Sequence, residues 1–139
     1  MTDSPQNSPE LTDEELALLH HIFDMARDGQ VQELQSALDQ GVPVNLTNSR
    51  GDTLLILAAY REQPEVVSLL IERGADLDRL NDRGQSALVS AVFRNRRDIA
   101  EALLDAGADA TIGSQTPAAV AEFFDIEDMK TFLSERGIR

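Results

Sequence analysis

The chain has no cysteine and, among 139 residues, only two histidines, one lysine and six aromatic residues. Without cysteine it has neither disulfides nor thiolate metal sites. The two histidines, His20 and His21, are adjacent. Neighbours on a helix cannot both face one metal ion, which needs i, i+3 or i+4 spacing, and no HExxH pattern is present. No serine or aspartate is placed to complete a triad with them, so they read as part of a polar helix face. The stretch from Asp76 to Gly84 has some of the acids of a calcium loop, but the third ligand and the glycine are out of place. The acids Asp125, Glu127 and Asp128 fall at a helix start, where the helix dipole favours them. Phosphate-binding loops and dinucleotide fingerprints are missing. No apolar run has the length of a membrane span, and the opening MTDSPQNSPE lacks the basic-then-apolar layout of a secretory signal. These absences lead to the expectation of a cytoplasmic, non-enzymatic protein with no cofactor, no metal and no membrane contact.

What is present is one pattern written twice. Thr47 opens TNSRGDTLLILAAYREQPEVVSLLIERGADLDR, and 33 residues later Leu80 opens LNDRGQSALVSAVFRNRRDIAEALLDAGADATI. In this register Gly51 pairs with Gly84, Leu55 with Leu88, Ala58 with Ala91, Leu70 with Leu103, and Gly74-Ala75-Asp76 with Gly107-Ala108-Asp109. A fainter copy upstream runs from Met25-Ala26-Arg27-Asp28-Gly29 through Val31, Leu34, Ala37 and Leu38 to Gly41. Another downstream runs from Thr116-Pro117-Ala118-Ala119-Val120-Ala121 through Met129 and Leu133 to Gly137. Between Asp109 and Thr116 the last copy is three residues shorter than the internal ones.

The period and these motifs resemble the ankyrin repeat, whose pattern joins Thr-Pro-Leu-His-x-Ala to Ala-Ala-x-x-Gly-His-x-Glu-Val-Val-x-x-Leu-Leu-x-x-Gly. The resemblance implies an all-α solenoid of helix-turn-helix pairs linked by short β-hairpin loops. Each such unit buries its apolar face only by stacking on its neighbours, and the end units are modified as caps. It divides a single domain, residues 12–139, into an N-terminal cap repeat (12–46), two internal repeats (47–79 and 80–112) and a C-terminal cap repeat (113–139). Residues 1–11 are polar and proline-containing, and are expected to be disordered. Eleven arginines to one lysine is a composition expected of a small stand-alone bacterial member.

Local signals agree. Thr12 with Glu15 forms a capping-box pattern, with Leu11 and Leu16 placed to staple the helix start. The apolar positions Leu16, Leu19, Ile22, Phe23 and Ala26 then recur at helical spacing up to Gly29. Thr53, Ser86 and Thr116 stand at N-cap positions, and Pro64 and Pro117 suit a first turn. Gly41, Gly74 and Gly107 are expected as left-handed C-caps, and Gly51 and Gly84 as hairpin tips. The departures are specific too. The family's Pro is Leu54 and Ala87, its His is Ile56 and Val89, and its inter-helix Gly is Glu62 and Asn95. A left-handed glutamate carries strain.

The net charge of −13 argues against nucleic acid. It is unevenly spread: nine acids against one arginine in residues 1–49, seven against eight arginines in 50–97, and nine against three bases in 98–139. By resemblance, the concave groove is lined by hairpin tips and by the two positions after each Ala-Ala pair. Those positions read Arg27, Tyr60, Phe93, Phe123 and Asp28, Arg61, Arg94, Phe124. The tips read Ser49, Arg50, Asp52 and Asp82, Arg83, Gln85. Arg50, Asp52, Tyr60, Arg61, Arg83, Gln85, Phe93, Arg94 and Phe123 are therefore the candidate partner-binding residues. Phe123 and Phe124 stay open between groove and cap core. Aromatic and arginine side chains dominate binding energy at interfaces. The expectation is a monomeric module that binds another protein through its concave groove, as adaptor or inhibitor. The alternatives are a self-associating structural stack and an enzyme with an unrecognised site, which would need a deep polar pocket that solenoids seldom form.

Overall fold

A computed structural model describes residues 11–139, so the expectation of disorder at the N-terminus lies, Leu11 apart, outside the described residues. Eight helices in those residues form four hairpin pairs: α1 (Asp13–Asp28) with α2 (Val31–Asp39), α3 (Leu54–Tyr60) with α4 (Pro64–Glu72), α5 (Ala87–Phe93) with α6 (Arg97–Asp105), and α7 (Pro117–Phe123) with α8 (Glu127–Glu135). The inner helices α1, α3, α5 and α7 begin alike, each with a hydroxyl accepting a backbone N–H three residues on. Thr53 accepts from Ile56, Ser86 from Val89 and Thr116 from Ala119. At α1 the full capping box forms between Thr12 and Glu15. These caps satisfy amides that a helix start would otherwise leave unpaired.

The outer helices α2, α4, α6 and α8 end on the glycines that the repeat sets in register. At α4 the N–H of Gly74 donates to Ile71 and that of Ala75 to Leu70, both at 3.0 Å, the paired bonds of a Schellman turn. The same two bonds recur at Gly41, Gly107 and Gly137. The later inner helices reach the same left-handed geometry without glycine, at Glu62 (φ 60), Asn95 (φ 57) and Asp125 (φ 55). Only α1 keeps a glycine there. A Cβ on Gly29 would stand 2.4 Å from the Gln63 side-chain oxygen. That amide donates instead to the Arg27 carbonyl at 2.8 Å and ties the second repeat to the first. One repeat later Arg96 takes the same role, donating to the Glu62 carbonyl at 3.4 Å.

The core is continuous through the stack. Leu34, Leu55, Leu70, Leu88, Leu103, Met129 and Leu133 are all buried, with Phe132 filling the last repeat. Small buried residues, Ala58, Ala59, Ala91 and Ala121, let the inner helices approach one another more closely than the outer helices do. The inner row and the hairpin tips consequently line a concave face.

The hairpins carry less β-structure than the resemblance implies, a single antiparallel bridge, Thr47 to Thr53, among the described residues. The reason is local. The Asn48 side-chain oxygen accepts the N–H groups of Arg50 and Asp52, and Asn81 those of Arg83 and Gln85. Side chains thereby satisfy amides that a ladder would use. Successive hairpins join tip to tip, with Asp82 N–H donating to the Arg50 carbonyl at 3.0 Å and Ser114 N–H to Gly84 at 2.9 Å. A Cβ on Gly51 would lie 2.6 Å from the Asp82 carboxylate, so the tips pack too tightly there for a side chain.

Candidate functional site

Along the concave face the ends of the inner helices present an aromatic strip. Tyr60 and Phe93 are stacked, with ring centroids 6.2 Å apart and planes 6° from parallel. Phe93 meets Phe124 edge-on at 5.1 Å, and Phe124 meets Phe123 at 4.9 Å. The four rings are 45%, 40%, 50% and 74% exposed for Tyr60, Phe93, Phe124 and Phe123 respectively. Neither Phe123 nor Phe124 therefore belongs to the cap core, which Phe132, Met129 and Leu133 fill instead. Three-residue shortening of the last hairpin leaves Phe123 in register with Phe93 by sequence, yet it is Phe124 that closes against Phe93.

Beside the strip lies a groove of two joined hollows. One, of about 330 Å³, has Tyr60, Phe93 and Phe124 on one side, Arg83 and Gln115 on the other, and Val89 and Val120 as floor. A second, of about 580 Å³, is lined by Arg27, Arg50, Arg61 and Arg83 over Ile56 and Leu57. Both hollows share Tyr60, Arg83, Gln85 and Ser90, so the groove is continuous across the hairpin boundary. Ile56 and Val89, which stand where the family has histidine, give it an apolar floor.

The candidate residues divide by what already holds them. Arg50, Arg61 and Arg83 are exposed and line the groove. Asp52 and Gln85 also line it, but both are half-buried and engaged. The Asn81 amide donates to Asp52 at 2.8 Å and to Gln85 at 3.2 Å, which braces one hairpin against the next. Arg94 lies over the Tyr60 ring at 5.2 Å and donates through Nε to Glu62 at 3.1 Å. With Arg96 also at 3.4 Å, Glu62 is clamped between two guanidiniums. Hydrogen bonding from Arg94, more than that from Arg96, holds its carboxyl below the ordinary carboxylate range. Arg94 thus fixes the strip's edge, whereas Arg61 stands clear. The residue columns include Phe124, but the candidate residues take Phe123 in its place as the ring that extends the strip, and miss Gln115 and Ser114 as groove wall. Those two belong to the shortened hairpin, whose seating on Arg83 and Gly84 is set by the Ser114 hydroxyl and amide rather than by repeat register.

Elsewhere, His20 and His21 are exposed on α1, His21 lying 3.9 Å from Glu33. Among the described residues no three His, Cys, Asp or Glu side chains are grouped to hold a metal ion, and no helix is long and apolar enough to cross a membrane. Asp125 and Glu127 both bind Lys130, at 2.6 and 2.7 Å, and their hydrogen bonds raise the pKa of its ammonium.

A family model described as ankyrin repeats (3 copies) matches residues 22–114, more than half of the chain. An ankyrin repeat protein of Pseudomonas aeruginosa is 48% identical over 69 residues, covering 50% of this chain and 39% of the relative. The shared segment is thus under half of that protein's length. The α7–α8 pair lies beyond the family match but repeats its construction: a Thr N-cap, a first-turn proline, a left-handed residue between the helices and a closing glycine.

Proposed function

The chain belongs to the ankyrin-repeat family, and from that premise we propose that it is a monomeric, non-catalytic module that holds a partner protein in its concave groove. Ankyrin repeats are in general protein–protein interaction modules and are typically not enzymes. The finer reading takes residues 12–139 as one domain of four repeats, placed in the cytoplasm, that acts on its partner as adaptor or inhibitor.

The observation that carries this reading is the exposed aromatic strip Tyr60–Phe93–Phe124 beside a groove with an apolar floor. Exposed aromatics in a row are costly to leave in water, and stacked rings arranged by rigid helices lose little entropy when covered. The anchors on this reading are Tyr60, Phe93 and Phe124, with Arg61, Arg50 and Arg83 as charged flanks. Arg94 holds the strip, and Asp52 and Gln85 hold the wall. Affinity capture from the native host tests it. A partner retained by wild type and lost by the Tyr60→Ala/Phe93→Ala double variant, with helicity and melting unchanged, supports the groove. A partner that keeps full affinity for that variant overturns it.

The rival reading, a self-associating stack, is favoured by one feature. Leu11, Leu16 and Leu18 are exposed at the start of α1. Light scattering across a concentration series decides between the two, since a monomer throughout removes the rival.

A further inference from the structure

The groove's chemistry goes further and, on the footing of the reading above, narrows what fills it. We propose that the bound segment is an acidic stretch of protein carrying a large apolar side chain, with carboxylates on Arg50, Arg61 and Arg83 and the apolar group between Tyr60, Phe93 and Phe124.

The argument begins from how the chain uses its arginines. Acids outnumber bases 25 to 12, and five of the eleven arginines already have a carboxylate partner within the chain. Arg27 pairs with Asp24 at 3.0 Å, Arg73 with Asp39 at 2.6 Å, Arg136 with Asp105 at 2.8 Å, and Arg94 and Arg96 with Glu62. Among the described residues the guanidiniums of Arg50, Arg61 and Arg83 make no ion pair or hydrogen bond, and all three line the larger hollow. Arg79, Arg97 and Arg139 also lack an ion pair among the described residues, but none of them lines the hollow, and Arg97 lies over the Phe132 ring instead. Two acids border the same hollow. Asp52 already accepts from Asn81 and from Asn48, and Asp82 is exposed at the tip. What the groove offers unmet is donor capacity in planar forks, the shape that matches carboxylates two oxygens at a time.

The second part is the hollow's other wall. Three aromatic rings over Val89 and Val120 make an apolar wall and floor to a hollow of about 330 Å³, room for one large side chain. A basic segment would meet like charge, and an uncharged one would cover three guanidiniums without pairing them, which is costly. Aromatics with arginines also describe single-stranded nucleic-acid platforms. Here the flanking segments carry −8 and −6. A phosphate chain, charged at every step, runs into those ends, whereas a short acidic stretch places its charge over the arginines alone.

The test screens the full chain against a randomised dodecapeptide display library, with a single-stranded oligothymidylate as a second probe. Enriched peptides are expected to cluster Asp and Glu around one Phe, Leu, Tyr or Trp. The best synthetic peptide should weaken about tenfold or more against Arg50→Gln/Arg83→Gln, and similarly when its acids become amides, with unchanged melting. Neutral or basic binders that ignore the arginine variant but are lost with Phe93→Ala overturn the acidic class and leave the groove standing. Binders indifferent to both variants overturn the groove as well. Oligothymidylate bound more tightly than any peptide overturns the assignment in favour of nucleic acid.

Discussion

On the outer face of the stack Arg73 reaches Asp39 of the preceding repeat and Arg136 reaches Asp105, at 2.6 and 2.8 Å. On the concave face Arg50, Arg61 and Arg83 make no ion pair or hydrogen bond among the described residues, and the aromatic rings beside them stand 40% exposed or more. The same residue type is used as a tie between repeats on one face and left open on the other. Packing explains the first use, because outer helices approach less closely and charge pairs bridge the wider gap. Nothing in folding calls for the second. Surface groups that cost stability or solubility without serving the stack are where binding is to be sought.

The comparison breaks most visibly where both faces rest on the core. Leu70→Ala and Leu103→Ala each empty a fully buried site and are expected to cost about 2–5 kcal/mol. Thermal or urea unfolding measures this, and binding should fall only as far as folding does. A loss of binding at temperatures where the variant stays folded would mean that the two faces are coupled.

Next in size is the inner strip. Tyr60→Ala or Phe93→Ala should weaken partner binding by about 2 kcal/mol or more, with melting little moved, because both rings are partly exposed. A melting loss comparable to that of Leu70→Ala would mark the strip as structural. Smaller still is the outer ladder. Arg73→Ala removes an exposed pair worth at most about 1 kcal/mol, so a small, salt-sensitive drop in stability is expected, with partner affinity unchanged. In the third repeat the place of Arg73 is held by Ala106, so the ladder already lacks that rung.

The smallest effect is a pH dependence at the join of the faces. The Glu62 carboxyl lies below its ordinary value of 4.5 in the folded chain, chiefly through Arg94. Its stabilising contribution is present above that value and is lost as pH falls through the lowered folded value. Melting of Glu62→Gln should therefore trail wild type at neutral pH, with the gap closing on acidification below 4.5. A gap constant from neutral to acid pH would show that Arg94 and Arg96 are not held by that charge.

Much of this was legible in the chain because each repeat is a template for the next. The N-caps Thr53, Ser86 and Thr116, the glycines closing the outer helices and the left-handed Glu62 follow from register and backbone sterics alone. Register also puts Tyr60 beside Phe93. What it misses depends on contacts between repeats. Asp52 looks like a free hairpin-tip group until Asn81 of the adjoining hairpin is seen to bind it, and the same amide holds Gln85 within its own hairpin. Arg94 looks like an anchor until Glu62 of the preceding repeat claims it. At the last repeat the missing three residues break the template, and the choice between Phe123 and Phe124 passes to local side-chain packing, which no periodic pattern encodes.

The division between the faces is tested most directly by one titration series. The captured partner is measured calorimetrically against wild type, Tyr60→Ala/Phe93→Ala and Arg73→Ala/Arg136→Ala, with melting recorded for each. The inner variant is predicted to lose binding at unchanged melting, and the outer one to lose some stability at unchanged affinity. The reverse pattern, with affinity lost from the outer pair and kept by the inner one, would contradict the assignment of the concave face.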